Sequence, residues 1–504
     1  MQNARMFFLP LLQRQINVPI MIRVARYLCM TSYHKRHIGR MMTYSVVKFL
    51  GKHCAKLQNN CSCLYSTSLF ASDRDIDSTY FTFDHDLAKN LQDMEKLQHN
   101  LKLRGISFDI HQLKANYEEL CSLDKKRSAI EQRRSEVAHH IAVIVKNQKE
   151  SKTNMPGVAE KMKILKEEGK TLKEAHKVVQ AHLWEVEEKV IRSALSLPNE
   201  VHPDVPEDKE VIVEDYLADK RLRIVDKDHH VILEESNMVK ISNVGSRAYY
   251  LRGRLAVLEQ ELIDRFTTEL HRKGLTMILA PEMFKTALVE AGGLDVVDPS
   301  YAYRLKHKEG SSLSDWDQDH MFLRGASHLS FLAYYARMQI SSDSLPVRNF
   351  TVGRNYRPVN AVNKTLPGLF GALQSVRVCA CTLAERMEEC STECDMMVQA
   401  IKEIYREFDL PFRIVSIPVQ LLCAYEQKRL EVQIWVPTMQ TYLKVGSVAA
   451  HGDFHSRRLM IRSARDRQDA VEPVHMVYSD VTDITTMLAV LLEHGRLDKY
   501  WRTM

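Results

Sequence analysis

The chain has 504 residues, 45% hydrophobic and 27% charged, with a formal net charge of +6. That is ordinary globular composition with length for two or three domains, and it excludes a chain too polar to build a core. No run approaches the roughly 18 consecutive apolar residues a bilayer-spanning helix needs, so no membrane insertion is expected.

The opening segment is basic. No Asp or Glu precedes Asp73, whereas Arg5, Arg14, Arg23, Arg26, Lys35, Arg36, Arg40, Lys48, Lys52 and Lys56 all do. A basic, acid-free stretch with apolar patches is the composition of a mitochondrial transit peptide. Residues 1–72 are therefore expected to be a targeting or disordered segment, and the mature protein to work in the mitochondrial matrix. A basic arm that binds nucleic acid is the competing reading. The ten cysteines lack the spacing of a disulfide framework, which predicts reduced thiols. Cys390 and Cys394 lie four apart without a second ligand pair nearby, so neither a metal nor another cofactor is expected.

Residues 73–200 read as a helical arm. Between Phe81 and Leu197 the breakers are Gly105, the Pro156-Gly157 pair and Gly169. Leu123, Ile130, Val137 and Ile144 recur by sevens, as do Leu165, Leu172, Val179 and Val186 beyond the Pro-Gly break. Leu183, Val190 and Leu197 add a second track, while Arg127 and Arg134 interrupt the matching one on the outgoing helix. The spacing predicts an antiparallel two-helix coiled coil. Helices of roughly 25 to 35 residues, at about 1.5 Å per residue, make an arm some 40 to 50 Å long. Its far part carries Arg133, Arg134, Lys146, Lys149, Lys152, Lys161, Lys163, Lys166, Lys170, Lys173 and Lys177 against few acids. A stiff basic rod suits a phosphate backbone contacted over distance, with affinity that falls as salt rises. These residues are the candidate tRNA-binding set, and a merely solvated helix face is the plain alternative.

LPNEVHPDVPEDKE (Leu197 to Glu210) is Pro-rich and reads as a linker. Residues 201–504 then combine a long amphipathic helix, placed from about Arg247 to Lys273, with short β-branched runs. Those runs are TMILAP (Thr276 to Pro281), FRIVSIPV (Phe412 to Val419) and RLEVQIWVP (Arg429 to Pro437). Strands and helices do not alternate regularly, so the fold class is α+β: the helical arm, then an antiparallel sheet flanked by helices.

The arm, the LPNEVHPDVP connector, the helix-strand-Pro unit ending at Pro281 and the tail DFHSRR (Asp453 to Arg458) resemble seryl-tRNA synthetase in order and spacing. Within that family the chain is most similar to the non-catalytic, synthetase-like branch of insect mitochondria. The resemblance covers roughly Phe81 to the C-terminus. It implies a class II synthetase body, dimeric through its first motif, and an arm that grips serine tRNA.

The family's charged residues map poorly onto this chain. Its Phe-Arg-x-Glu resembles Tyr356-Arg357-Pro358-Val359, so the Arg is retained at Arg357 and the Glu becomes Val359. A second Arg resembles Gly371, and a Glu resembles Cys379. The serine-recognising Thr-x-Glu falls on Gly325 and Ser327, the magnesium carboxylate on Lys444, and the Arg of the third motif on Thr486. Removing one partner of a buried charge pair costs about 2 to 5 kcal/mol. Three coupled losses predict a deficit of at least about 10⁴-fold. The expectation is a degenerate pocket without serine-tRNA ligase activity or ATP binding, in a protein that still binds tRNA. Its expected partner is a second copy or the organelle's active seryl-tRNA synthetase. A divergent active ligase and a protein-interaction scaffold without RNA binding are the two alternatives. His451 and His455 read as structural or surface residues.

Overall fold

The computed structural model describes residues 87–150, 158–221, 228–235, 237–242, 247–296, 298, 300–305, 321–359, 364–464 and 471–495. The chain divides after Ser66 into two units, and every described residue belongs to the second. The expected targeting segment lies outside the described residues, as does Lys152; of Lys149 only the backbone is described.

Two short helices, α1 (Leu87–Gln92) and α2 (Met94–Leu103), precede α3 (Ile110–Glu150) and α4 (Val158–Leu195). The long pair runs 41 and 38 residues, longer than the heptads alone indicate. The extra length is at the foot, where Leu113, Leu183 and Val190 are buried with Leu101 of α2. Of the heptad positions, Leu123, Val137 and Val186 are buried, and Ile130, Ile144, Leu165, Leu172 and Val179 are half-buried. Polar pairs cross between the helices: Arg133 to Glu168 at 2.7 Å, His176 to Glu131 at 3.0 Å, and His182 to Glu119 at 3.4 Å.

The connector is a joint rather than a loose linker. The buried Asn199 donates from Nδ2 to the carbonyls of Tyr425 (2.9 Å) and His451 (2.7 Å). Its own carbonyl accepts from Asn100 Nδ2 at 3.1 Å. Arg104 donates to the carbonyls of Cys423 and Glu426, so the foot of the helices is bonded to the body at several points.

The body is built on an eight-stranded sheet. Its strands are β1 (Val211–Tyr216), β2 (Thr276–Met277), β3 (Val347–Tyr356), β4 (Gln374–Ala384), β5 (Phe412–Ser416), β6 (Lys428–Val436), β7 (Thr441–Gly452) and β8 (His475–Asp483), in spatial order β1-β5-β6-β7-β8-β4-β3-β2. Every pairing is antiparallel except β2 with β3, which is parallel. Strand β5 ends at Ser416 rather than Val419 because Pro418 has no N–H to give the ladder.

Helices α5 (His229–Glu235), α6 (Arg254–Arg272), α7 (Thr286–Ala291), α8 (His328–Tyr335), α9 (Met387–Glu407), α10 (Phe454–Leu459) and α11 (Ile484–Glu493) flank the sheet. Helix α6 starts at Arg254 and not near Arg247. Tyr249–Leu251 pair instead with Val239–Ile241, and Gly253 at φ 55° turns the chain into the helix. One core packs α6, α9 and α11 against the sheet through Leu258, Leu262, Phe266, Ile401, Tyr405, Phe408, Leu488 and Leu492. A second core gathers Phe331, Leu332, Cys381, Leu459 and Tyr478.

Candidate functional site

Strands β4, β6, β7 and β8 lie side by side and carry charged residues on adjoining positions. Cys379 on β4 and Ser447 on β7 both stand opposite Asp480 on β8, and Arg377 stands opposite Asp483. Arg377 lies 3.4 Å from Asp480 and 3.6 Å from Asp483. Arg357, just past the end of β3, lies 3.5 Å from Asp483 and donates to the Ala372 carbonyl at 3.2 Å. Tyr478 and Cys379 donate to Asp480 at 2.6 and 3.5 Å. Beside this group, Lys444 meets Glu431 at 3.3 Å. Arg429 reaches Glu431 at 3.2 Å and Glu426 at 2.7 Å.

These contacts govern the local titration. Burial opposes ionisation of Asp480, but Arg377, then Lys444, and the two donated hydrogen bonds outweigh it and hold the carboxyl well below its usual range. Burial likewise works against the Arg377 charge, and Asp480 and Asp483 more than compensate. For Arg357, burial wins over Asp483 and lowers its pKa. Burial raises the Cys379 thiol far above its ordinary value, so it is an inert, neutral side chain.

A second cluster adjoins the first. His328 at the start of α8, His451 on β7 and His455 on α10 are buried together with Tyr478, and the partly buried Tyr425 packs against them. His328 stacks on Tyr425 with ring centroids 4.8 Å apart, and His451 stacks on Tyr478 at 5.8 Å. His455 Nδ1 donates to the Ala291 carbonyl at 3.3 Å, so its Nε2 accepts from His451 Nδ1 at 3.1 Å. Burial, followed by the Arg324 charge, pushes the His328 pKa down to about 4. His451 and His455 are pushed well below the usual imidazole range, again mainly by burial. His451 lies at the end of a strand and His455, four residues on, in the helix that follows. Neither is a surface residue. Among the described residues, no group of three or more His, Cys, Asp or Glu is arranged to hold a metal ion.

Of the positions singled out in the sequence, Arg357, Cys379, Lys444 and Thr486 converge on Asp480, Asp483 and Glu431. Thr486 enters through its backbone N–H, which donates to Asp483 Oδ1 at 3.1 Å. Gly325 pairs with Asn355 at φ 72°, and a Cβ on it would stand 1.9 Å from the Arg354 carbonyl oxygen. Ser327 starts α8 and donates from Oγ to the Gly325 carbonyl at 3.0 Å. Val359 is exposed, and Gly371 is buried at the end of a short 3-10 turn.

The basic residues of the long helices are far along the chain from this group and differ among themselves. Arg133 is engaged by Glu168 and Glu136, and Arg134 is half-buried. Lys146, Lys161, Lys163, Lys166, Lys170, Lys173 and Lys177 are exposed. Sequence reasoning missed Arg377, Asp480, Asp483 and Glu431, since acids and a lone Arg within apolar strands carry no spacing signal. It also missed that His328 joins His451 and His455.

Residues 311–495 match the tRNA synthetase class II core domain (G, H, P, S and T). The chain is similar to the serine–tRNA synthetase-like protein Slimp of Drosophila melanogaster, 23% identical over 448 residues, 88% of this chain and 92% of the relative. It is also similar to the mitochondrial serine–tRNA ligase of Mus musculus, 24% identical over 414 residues, 80% of this chain and 78% of the relative. In structure it is similar to the seryl-tRNA synthetase from Pyrococcus horikoshii complexed with ATP, with a TM-score of 0.63 and 20% identity, over 81% of this chain and 93% of that one. That likeness bears on the fold: a large, mostly antiparallel sheet with flanking helices.

Proposed function

We propose that this chain, which carries a class II tRNA synthetase core domain and resembles seryl-tRNA synthetases along most of its length, is a tRNA-binding protein of the mitochondrial matrix without ligase activity. The observation that carries the reading is Lys444. It stands where the resemblance places a magnesium carboxylate, and it is ion-paired to Glu431 within the sheet. A cation there opposes a divalent metal by about 4 kcal/mol per unit charge at 4 Å and effective dielectric 20.

Two further features support loss of chemistry. Arg357, the one phosphate-binding position retained, faces Asp483. Beside it pack the buried rings of His328, His451, His455 and Tyr478 and the partly buried Tyr425. These rings supply no carboxylate of their own for a serine ammonium, and Asp480 beside them is taken up by Arg377 and Tyr478. Support for RNA binding comes from the long pair α3 and α4, which we read as a coiled-coil arm with exposed lysines on one side. Support for the compartment comes from the mitochondrial ligases among the relatives and the acid-free opening of the sequence. Leu279 is 84% exposed just past edge strand β2, with Met283 half exposed beyond it, which favours a dimer through this edge. The second subunit is a copy of the chain or an active seryl-tRNA synthetase.

The test is one preparation of the full chain carried through two assays: serine-tRNA binding at two salt concentrations, and pyrophosphate exchange dependent on serine and ATP. Salt-weakened binding without exchange is the expected result. Exchange above background makes the protein a divergent ligase and sinks the reading, and absence of both favours a protein scaffold.

A further inference from the structure

On α4, Lys166, Lys170, Lys173, Lys177 and Trp184 follow one another at spacings of four, three, four and seven. At about 100° per residue these five side chains fall within a narrow arc of the helix surface. The arc lies opposite Leu165, Leu172, Val179, Val186 and Val190, which face α3. All four lysines are exposed, and among the described residues none forms an ion pair. Trp184 is 59% exposed at the end of this row. One turn further on, Glu188 occupies the same face but is bridged by Arg192, which offsets its charge.

A large indole left in water on a helix that has a buried seam on its other side is not required for packing. Its position at the end of a cationic row identifies the chemistry of its partner. Four ammonium groups spread over about 17 Å of helix axis attract a polyanion. The ring then offers an apolar face to whatever that polyanion presents beside its charges. Only nucleic acid combines a phosphate chain with flat π-faces at that range.

We propose that Trp184 is a stacking platform for an unpaired base of a structured RNA, whose backbone runs along Lys166, Lys170, Lys173 and Lys177. The proposal rests on the RNA-binding reading above and narrows it to one face of one helix. Arg133, tied to Glu168 and Glu136, serves instead to hold α3 against α4. The lysines supply charge and the salt dependence; Trp184 supplies a contact that salt leaves alone.

The experiment measures binding of a serine-tRNA transcript by the full chain across a salt series, with tryptophan fluorescence on the same samples. Trp184→Ala is expected to weaken binding about tenfold while leaving the slope of log affinity against log salt unchanged. Trp184→Phe recovers most of the loss, because a π-face is restored. The paired substitution Lys173→Ala with Lys177→Ala is expected to reduce the slope by about two. RNA quenches the fluorescence of the unsubstituted chain, and Trp184→Ala removes that quenching. Unchanged affinity in Trp184→Ala with a reduced slope in the lysine variant overturns the platform and leaves RNA binding standing. Unchanged RNA affinity with loss of a copurifying protein assigns the face to a protein partner and also overturns it. No RNA binding by the unsubstituted chain removes the parent reading and the platform together.

Discussion

The guanidinium of Arg357 stands 3.5 Å from the carboxylate of Asp483, and the same carboxylate accepts the backbone N–H of Thr486 at the start of α11. The arginine that the resemblance would assign to a phosphate is therefore directed to the acid that caps the last helix. Arg377 reaches Asp483 at 3.6 Å, so two cations share it. Arg377, Arg357 and Lys444 each meet an acid of the sheet, and the predictions below follow from those pairs and from the buried rings beside them.

Arg377→Met leaves Asp480 and Asp483 without the cation they share. Breaking a buried pair in this way costs about 3 to 5 kcal/mol. The urea midpoint of this variant is expected to fall clearly below that of Arg357→Ala, which loses an ion pair with Asp483 alone. Adding Asp480→Asn to Arg377→Met is expected to recover part of the loss, and a strictly additive double-mutant cycle would show that the two do not interact.

Acid should loosen the protein in two separate windows. An unfolded imidazole takes up a proton near pH 6.5, whereas folded His328 resists until about pH 4. The unfolded state then binds more protons, so stability falls as pH drops from about 6.5 to 4, by about 3 kcal/mol for this residue. Asp480 and Glu431 are held below their ordinary values. Their contribution is present above about pH 4 and is lost below it. His328→Phe keeps a ring against Tyr425 and is expected to shallow the upper window, to which His451 and His455 also contribute, while leaving the lower one unchanged, read from thermal midpoints between pH 7 and 4.

Gly325→Thr is expected to destabilise the chain by about 3 kcal/mol or more, because its backbone conformation disfavours a side chain. The new Cβ would also stand 1.9 Å from a backbone oxygen. A threonine placed at this position therefore loses folded protein in a denaturation assay without gaining serine-dependent pyrophosphate exchange.

Asn199→Ala removes the donors from the Tyr425 and His451 carbonyls, at a buried site. The expected cost is about 2 kcal/mol. Limited proteolysis near residue 199 should accelerate in this variant, and unchanged cleavage would mean that the connector is held by other contacts.

Much of the architecture is legible in local pattern. The heptads of Leu123 to Ile144 and Leu165 to Val186 mark two long helices, because apolar positions seven apart keep to one helix face. The runs around Phe412 and Arg429 mark strands because β-branched and aromatic residues sit well on a pleated surface. The start of α6 is misplaced by seven residues, since Tyr249–Leu251 is claimed by a strand partner and Gly253 marks the helix start. Lys444 and Thr486 are conspicuous in the sequence only as absences of an expected charge, which says nothing of what each touches instead.

The sequence by itself determined the helix pair, the strand runs beginning at Thr276, Phe412 and Arg429, the basic residues of α4 and the resemblance to a class II synthetase, all of which depend on residues near one another in the chain. The tertiary structure alone decided that Arg377 meets Asp480, 103 residues away, that Lys444 answers Glu431, and that three histidines share one buried space. The reason is physical. Local pattern reports which face of an element avoids water, whereas the partner of a buried charge is set by sheet register, and β4, β7 and β8 come from separate parts of the chain.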